Sequence, residues 1–134
     1  MRGTVADLPH DAQYDAAICI FVLHFLSDAE KLALLRGVLD RLQPEAPLLV
    51  ATAARMTEEH ERLRDDLLGT WQEHGELMSV PADRMAAIIA QLLPSQQGMS
   101  TAQDHVRLLQ EAGFKQVGEL LRVMSGAVCA WIAR

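Results

Sequence analysis

His24 is the side chain best placed by sequence to do chemistry. It directly follows the unbroken apolar run AAICIFVL, so a strand formed by that run delivers an imidazole to its carboxyl end. An imidazole titrates near neutral pH and can take one proton as a general base. The plainer reading of the same residue is a histidine leading into a helix, hydrogen-bonded or exposed. The other histidines (His10, His60, His74 and His105) share no spacing that makes a metal site. Cys19 and Cys129 lie inside apolar runs, without metal-ligand spacing or a nearby histidine, and read as buried, inert thiols of a reducing cytoplasm. Asp65-Asp66 is a charge pair on a solvated helix rather than a catalytic dyad, and Trp71 and Trp131 read as packing residues. No nucleophile elbow, phosphate-binding loop or zinc motif occurs, and no glycine-rich turn precedes the first apolar run.

The elements that must position His24 are legible from pattern. Continuous hydrophobicity over 16–23 predicts a strand buried on both faces of a parallel sheet. Ser27-Asp28-Ala29-Glu30 forms a capping box. Leu32, Leu35, Val38, Leu39 and Leu42 then share one helical face, and Pro44 ends the helix. Leu48 to Ala53 is a second short strand. Thr57 opens a charged segment that reads as a solvated helix with Leu63, Leu67 and Trp71 as its apolar stripe. Pro81 opens a more apolar helix carrying Met85, Ile88, Ile89 and Leu92, stopped by Pro94. Ser100 or Thr101 caps a further helix, with Gln103 completing a box with Ser100 and Gly113 as its left-handed stop. Lys115 to Met124 and Ala127 to Ala133 predict two strands around a tight turn at Ser125-Gly126. The chain is one domain, residues 1–134, with a helical insert at about 57–98.

Composition sets bounds. Half of the residues are hydrophobic and 22% are charged, as in an ordinary globular domain. A net charge of −6 disfavours binding of nucleic acid or an anionic membrane by this chain alone. The first ten residues lack the apolar core of a signal peptide, and the longest apolar run is far short of the ~20 residues a membrane span requires. A cytoplasmic location follows as an expectation.

The order β-α-β-α-α-α-β-β, with four sequence stretches upon it, resembles the C-terminal half of a class I (Rossmann-like) S-adenosylmethionine-dependent methyltransferase. "ADLP" at Ala6 to Pro9 resembles the acidic loop after the family's third strand. "YDAAICIFVLHFL" resembles the fourth strand and its exit. "LLRGVLDRLQPEAPLLVAT" resembles the next helix and fifth strand. "AQDHVRLLQEAGFKQV" resembles the late helix and the turn before the sixth strand. The resemblance covers nearly the whole chain. A narrower likeness, to the tRNA uridine-34 carboxymethyltransferase-like subgroup, rests on the charged insert and "STAQDHVRLLQEAGF". Two departures matter: Pro44-Glu45-Ala46 stands in place of Pro-Gly-Gly, and the glycine-rich cofactor turn of the N-terminal half has no counterpart. The family sheet runs 3-2-1-4-5-7-6, so the implied fold is a partial α/β sheet of strands 4-5-7-6 with flanking helices.

The resemblance implies S-adenosylmethionine as cofactor, with doubtful binding by this chain. It implies that Asp7 accepts from the adenine amine, that the Leu8 amide meets a ring nitrogen, and that Phe21 and Val22 face the sulfonium. His24 becomes the base. Arg84 matches an arginine that the uridine subgroup uses near a cofactor carboxylate, although a surface cation beside Asp83 or Glu76 is the plainer reading. Ile20 stands where that subgroup carries a polar residue. The leading function is a methyltransferase fragment or truncated form, inactive alone. The alternative is a non-catalytic, self-associating domain on the same scaffold. Without strands 1 to 3 the run at 16–23 becomes an open apolar edge, so a homodimer through it or adjacent faces is expected.

Overall fold

Two short parallel strands and the helix joining them set the frame. The computed structural model describes residues 4–9, 13–55, 99–123 and 128–134, together with residues 69, 70, 73, 74, 78–81, 83, 84 and 87. Strands β1 (Ala17–Ile20) and β2 (Leu48–Ala53) pair in parallel, with Ala17 opposite Leu48 and Ile20 opposite Ala51. Parallel neighbours require a crossover, which α1 (Asp28–Leu39) supplies. Its capping box forms as the sequence predicts: the Glu30 carboxylate accepts from the Ser27 amide at 2.8 Å and Ser27 Oγ accepts from the Glu30 amide at 3.4 Å. The helix ends at Leu39, before Pro44 is reached. The turn that follows places Glu45 at φ 65°, the left-handed conformation that a glycine adopts without strain.

After the insert, Thr101 caps α2 (Ala102–Ala112). The reciprocal partner is Asp104, not Gln103: Thr101 Oγ1 accepts from the Asp104 amide at 3.1 Å, and Asp104 accepts from the Thr101 amide at 2.9 Å. Ser100 is thereby released for another task, described below. Gly113 stops the helix at φ 116°, and a Cβ there would meet Leu39 at 2.8 Å. Strands β3 (Val117–Val123) and β4 (Val128–Ala133) run antiparallel, with a bulge between Glu119 and Leu121. The sheet order is β1-β2-β4-β3, with β4 antiparallel to β2. That is the partial Rossmann-like order expected from sequence. The hairpin turn at Ser125-Gly126 and most of the insert, including Met85, Ile88, Ile89 and Leu92, lie outside the described residues.

Both helices pack on one face of the sheet. Leu35 and Leu42 from the first helical unit, with Leu108 and Leu109 from α2, join Leu48, Val50, Cys129, Trp131 and Ala133 in one buried core. Alternation along β2 puts Leu48, Val50 and Thr52 on this face, all fully buried. The other face reads differently from expectation. β1 was expected to be buried on both sides, but it ends at Ile20, and Ile18 and Ile20 are 69% and 51% exposed. α1 and α2 cover one side, and every second residue of β1 faces away from them. The apolar run extends past the strand because Leu23 anchors the following turn, where it is fully buried.

Glu45 supplies a direct test of local strain. Glu45→Gly should raise stability by about 0.5–1 kcal/mol, since it relieves left-handed strain at some cost in unfolded-chain entropy. Gly113→Ala should lower it by at least about 1 kcal/mol, through both φ and the Leu39 contact. Urea denaturation midpoints of the two variants check both signs.

Candidate functional site

The site grows from the way β1 ends. Phe21 keeps its hydrogen bond to the sheet, donating from its amide to the Ala51 carbonyl at 2.7 Å. Its φ of 53° then turns the chain out of the strand direction. A single 3-10 turn, Leu23–Phe25, follows. Leu23 plugs into the core, which leaves His24 part-buried and Phe25 79% exposed. His24 Nδ1 lies 3.1 Å from Oγ1 of Thr52, the penultimate residue of β2. Phe25 packs against the imidazole at 4.0 Å between centroids, and Phe21 meets it edge-on at 6.0 Å. An imidazole thus sits where two parallel strands release their carboxyl ends, the position at which open α/β sheets bind ligands.

Burial pushes the His24 imidazole below its ordinary range, and the positive charge of Lys31 adds to this. Lys31 is itself 1% exposed. Its Nζ donates to Asp28 Oδ1 at 2.9 Å and to Ser100 Oγ, and Ser100 in turn donates to the same carboxylate oxygen at 2.8 Å. The hydrogen bonds from Lys31 and Ser100 hold the Asp28 carboxyl below the usual range, helped by the charges of Lys31 and Arg107. The Arg55 amide donates to the Ser100 carbonyl at 2.9 Å. The cluster therefore joins the start of α1, the approach to α2 and the chain leaving β2. Behind it, His105 stacks on Trp131 at 5.5 Å and its Nδ1 lies 2.9 Å from the Thr101 carbonyl. His105 Nε2 and Trp131 Nε1 are buried with no partner among the described residues.

Of the residues singled out from sequence, Phe21, Val22 and His24 come together on the exit from β1, with Phe21 and Val22 about half exposed. Asp7 and Leu8 do not join them. Leu8 lines a cleft beside Tyr14, Ala16 and Ala17, at the opposite end of β1 from His24. The Asp7 carboxylate accepts from the Thr4 amide at 2.6 Å and hydroxyl at 2.9 Å, which lowers its pKa, the amide bond first. The Leu8 amide already donates to the Val5 carbonyl at 3.2 Å, and the Leu8 carbonyl accepts from Arg41 at 3.3 Å. Arg84 lies on a helical stretch and is exposed. Asp7 and Leu8 therefore do not converge with Phe21 and Val22 on one holder for S-adenosylmethionine.

Sequence reasoning missed Lys31, Thr52 and Ser100. The signals were present. Lys31 is four residues before Leu35 and thus on the core-facing stripe, and Thr52 continues the Leu48–Val50 alternation. No helix among the described residues is long and apolar enough to cross a membrane.

No family model matches the chain, and no curated protein does. Solved structures do. One is an O-methyltransferase, so assigned provisionally, from Nostoc punctiforme PCC 73102, with 16% identity and a TM-score of 0.59 over 99% of this chain and 34% of that one. Human N-acetylserotonin methyltransferase in complex with SAM gives 22% identity and 0.57, over 100% of this chain and 32% of that one. PigF with SAH gives 14% and 0.56, over 97% and 33%. The chain spans about a third of the length of these structures. At such identities the likeness is one of fold, and it establishes a methyltransferase-like, partial Rossmann scaffold.

Two imidazoles, His105 buried and His24 part-buried, fix a pH dependence. Burial lowers the pKa of His24 and of His105 from 6.5. The unfolded chain therefore binds protons that the folded chain refuses, and stability is complete above about pH 6.5 and declines below it. The urea midpoint should fall between pH 7.5 and 5.5, and His105→Asn should flatten that slope.

Proposed function

We propose that this chain is the acceptor-side part of an S-adenosylmethionine-dependent methyltransferase, with His24 as the base that takes a proton from an acceptor hydroxyl. One observation carries the reading: the imidazole held by Thr52 at the shared carboxyl end of two parallel strands. When Nδ1–H donates to Thr52 Oγ1, the lone pair of Nε2 is the group that accepts. Burial and the nearby charge of Lys31 favour the neutral form that this requires. Phe21, Val22 and Phe25 give an acceptor an apolar rim. Asp7, Leu8 and Arg84 are retained only as outlying candidates for cofactor contact. Nitrogen-15 spectra of the imidazole at pH 7.5 test the base assignment, since a proton on Nε2 rather than Nδ1 overturns it.

An oxygen acceptor is favoured over the wobble-uridine chemistry of the narrower resemblance. Ile20 remains where that subgroup carries a polar residue, and the solved structures of like fold include an O-methyltransferase assignment. The cofactor belongs to the whole fold, of which this chain matches a third. Alone, the chain should neither methylate nor bind S-adenosylmethionine tightly, because lost polar anchors cost about 1–3 kcal/mol each. Titration calorimetry giving a dissociation constant near 1 μM overturns this. Cys19 and Cys129 are not joined in a disulfide, which suits the cytoplasm that we propose as its compartment.

A second reading keeps the scaffold and drops the chemistry: a self-associating domain that pairs through β1 or its adjacent outer face. The exposed Ile18, Ile20, Phe21 and Phe25 support it. Sedimentation at micromolar concentration should then show a dimer, and a single monomeric species overturns the pairing.

A further inference from the structure

Behind the ring of Lys31, Asp28 and Ser100 lie polar groups that the described residues leave unsatisfied. His105 Nδ1 lies 2.9 Å from the Thr101 carbonyl, which can only accept. Nδ1 therefore carries the proton of the neutral imidazole, and Nε2 presents a bare lone pair. Nε2 is buried with no partner, and so is Trp131 Nε1, which can only donate. Lys31 has three N–H donors, of which Asp28 and Ser100 take two. The three side chains are at most 1% exposed. They also share one neighbourhood. His105 stacks on Trp131. Ser100, which holds the ammonium, directly precedes Thr101, whose carbonyl holds the imidazole. The charge of Lys31 acts on His105 as well as on His24.

The two rings cannot satisfy each other. Their planes are inclined by only 24°, with centroids 5.5 Å apart. An indole N–H lies in its own ring plane, so it runs alongside the imidazole instead of into the Nε2 lone pair. Buried polar groups in folded proteins are paired, by ordered water where the chain does not reach. The signs of these groups decide what can pair them. Two donors, one of them charged, repel a cation. The lone pair on Nε2 repels an anion. An apolar filler satisfies none of the three. A ligand that accepts twice and donates once satisfies all of them, and a buried water typically makes about three such bonds. We propose that one ordered water lies where α1, α2 and β4 meet, accepting from Lys31 Nζ and Trp131 Nε1 and donating to His105 Nε2. It completes the bonding of the ammonium and extends the ring at Lys31 into the core, tying both helices to the sheet behind His24. The inference rests on these buried groups and not on methyl transfer.

The test uses the intact chain, nitrogen-15 labelled, and reads the indole proton of Trp131, assigned by its loss in Trp131→Phe. A long-lived water beside that proton should give cross peaks of opposite sign in laboratory-frame and rotating-frame Overhauser spectra. Chemical exchange with solvent gives the same sign in both. His105→Phe keeps a stacked ring but removes the acceptor. It should abolish the cross peak, and oxygen-17 relaxation dispersion should count one long-lived water fewer than in the wild type. Absence of the cross peak in the wild type, or equal signs in the two spectra, overturns the proposal. So does a cross peak and water count unchanged in His105→Phe. If that variant does not fold, the wild-type spectra decide alone.

Discussion

The structure depends on β2 being closed on both edges. It hydrogen-bonds in parallel to β1 and antiparallel to β4, and every second side chain on its helix-covered face is fully buried. This one strand therefore fixes the register of the sheet and the depth of the core. Thr52 is the last residue in that buried row. Its hydroxyl cannot be left unpaired at zero exposure without a desolvation cost of about 1–3 kcal/mol, and the partner it finds is His24. The strand that organises the core thus also orients the imidazole. The two roles share a residue, so the site cannot shift without disturbing the sheet.

A second constraint ties the helices together. Lys31 is buried, and a lone buried ammonium is expensive. Its carboxylate partner, Asp28, stays half exposed, which screens the pair and limits what it adds to stability. Geometry is the larger contribution. A donor with three protons reaches Asp28 and Ser100 at once, and Ser100 donates to the same Asp28 oxygen. This closed ring fixes the segment before α2 against the first turn of α1. It explains why Thr101, one residue later, caps the helix: the Ser100 hydroxyl is already committed. The Arg107 contacts around the rim are exposed, at 3.9 Å to Asp28 and 2.8 Å to Glu111, and contribute little.

Much of this was legible before any coordinates. The capping box at Ser27, the left-handed stop at Gly113, the parallel pair and the closing hairpin all follow from local chemistry: side-chain caps, φ > 0 and runs of β-branched residues. The order of strands came from resemblance, because nothing in a strand's own sequence names its neighbours. What local pattern could not supply was the long-range bonding. Ser100 looked like a cap because its spacing to Gln103 is right, and only a lysine 69 positions away takes it out of that role. Ile18 and Ile20 looked buried because apolar continuity cannot reveal whether a second layer covers a strand. Asp7 and Leu8 carried the likeness of a cofactor loop, yet their polar groups are engaged with Thr4, Val5 and Arg41.

The division between the two ends of β1 is the final consequence. At its carboxyl end the chain holds a non-glycine residue, Phe21, in a left-handed turn, at a cost of about 1–2 kcal/mol. Such a residue persists only where its surroundings over-determine it. Here the Phe21 amide is held by Ala51, Leu23 is locked in the core two residues later, and the Phe21 ring borders His24. The strain is spent on projecting an imidazole and three apolar side chains out of the sheet plane. At its amino end β1 carries no strain of this kind, only an apolar cleft and a flank with no neighbouring strand among the described residues. One end is therefore shaped to present an imidazole, while the other stays an unstrained apolar edge. A four-residue strand supports both because β2 bears the packing, which leaves β1 free to serve as a surface.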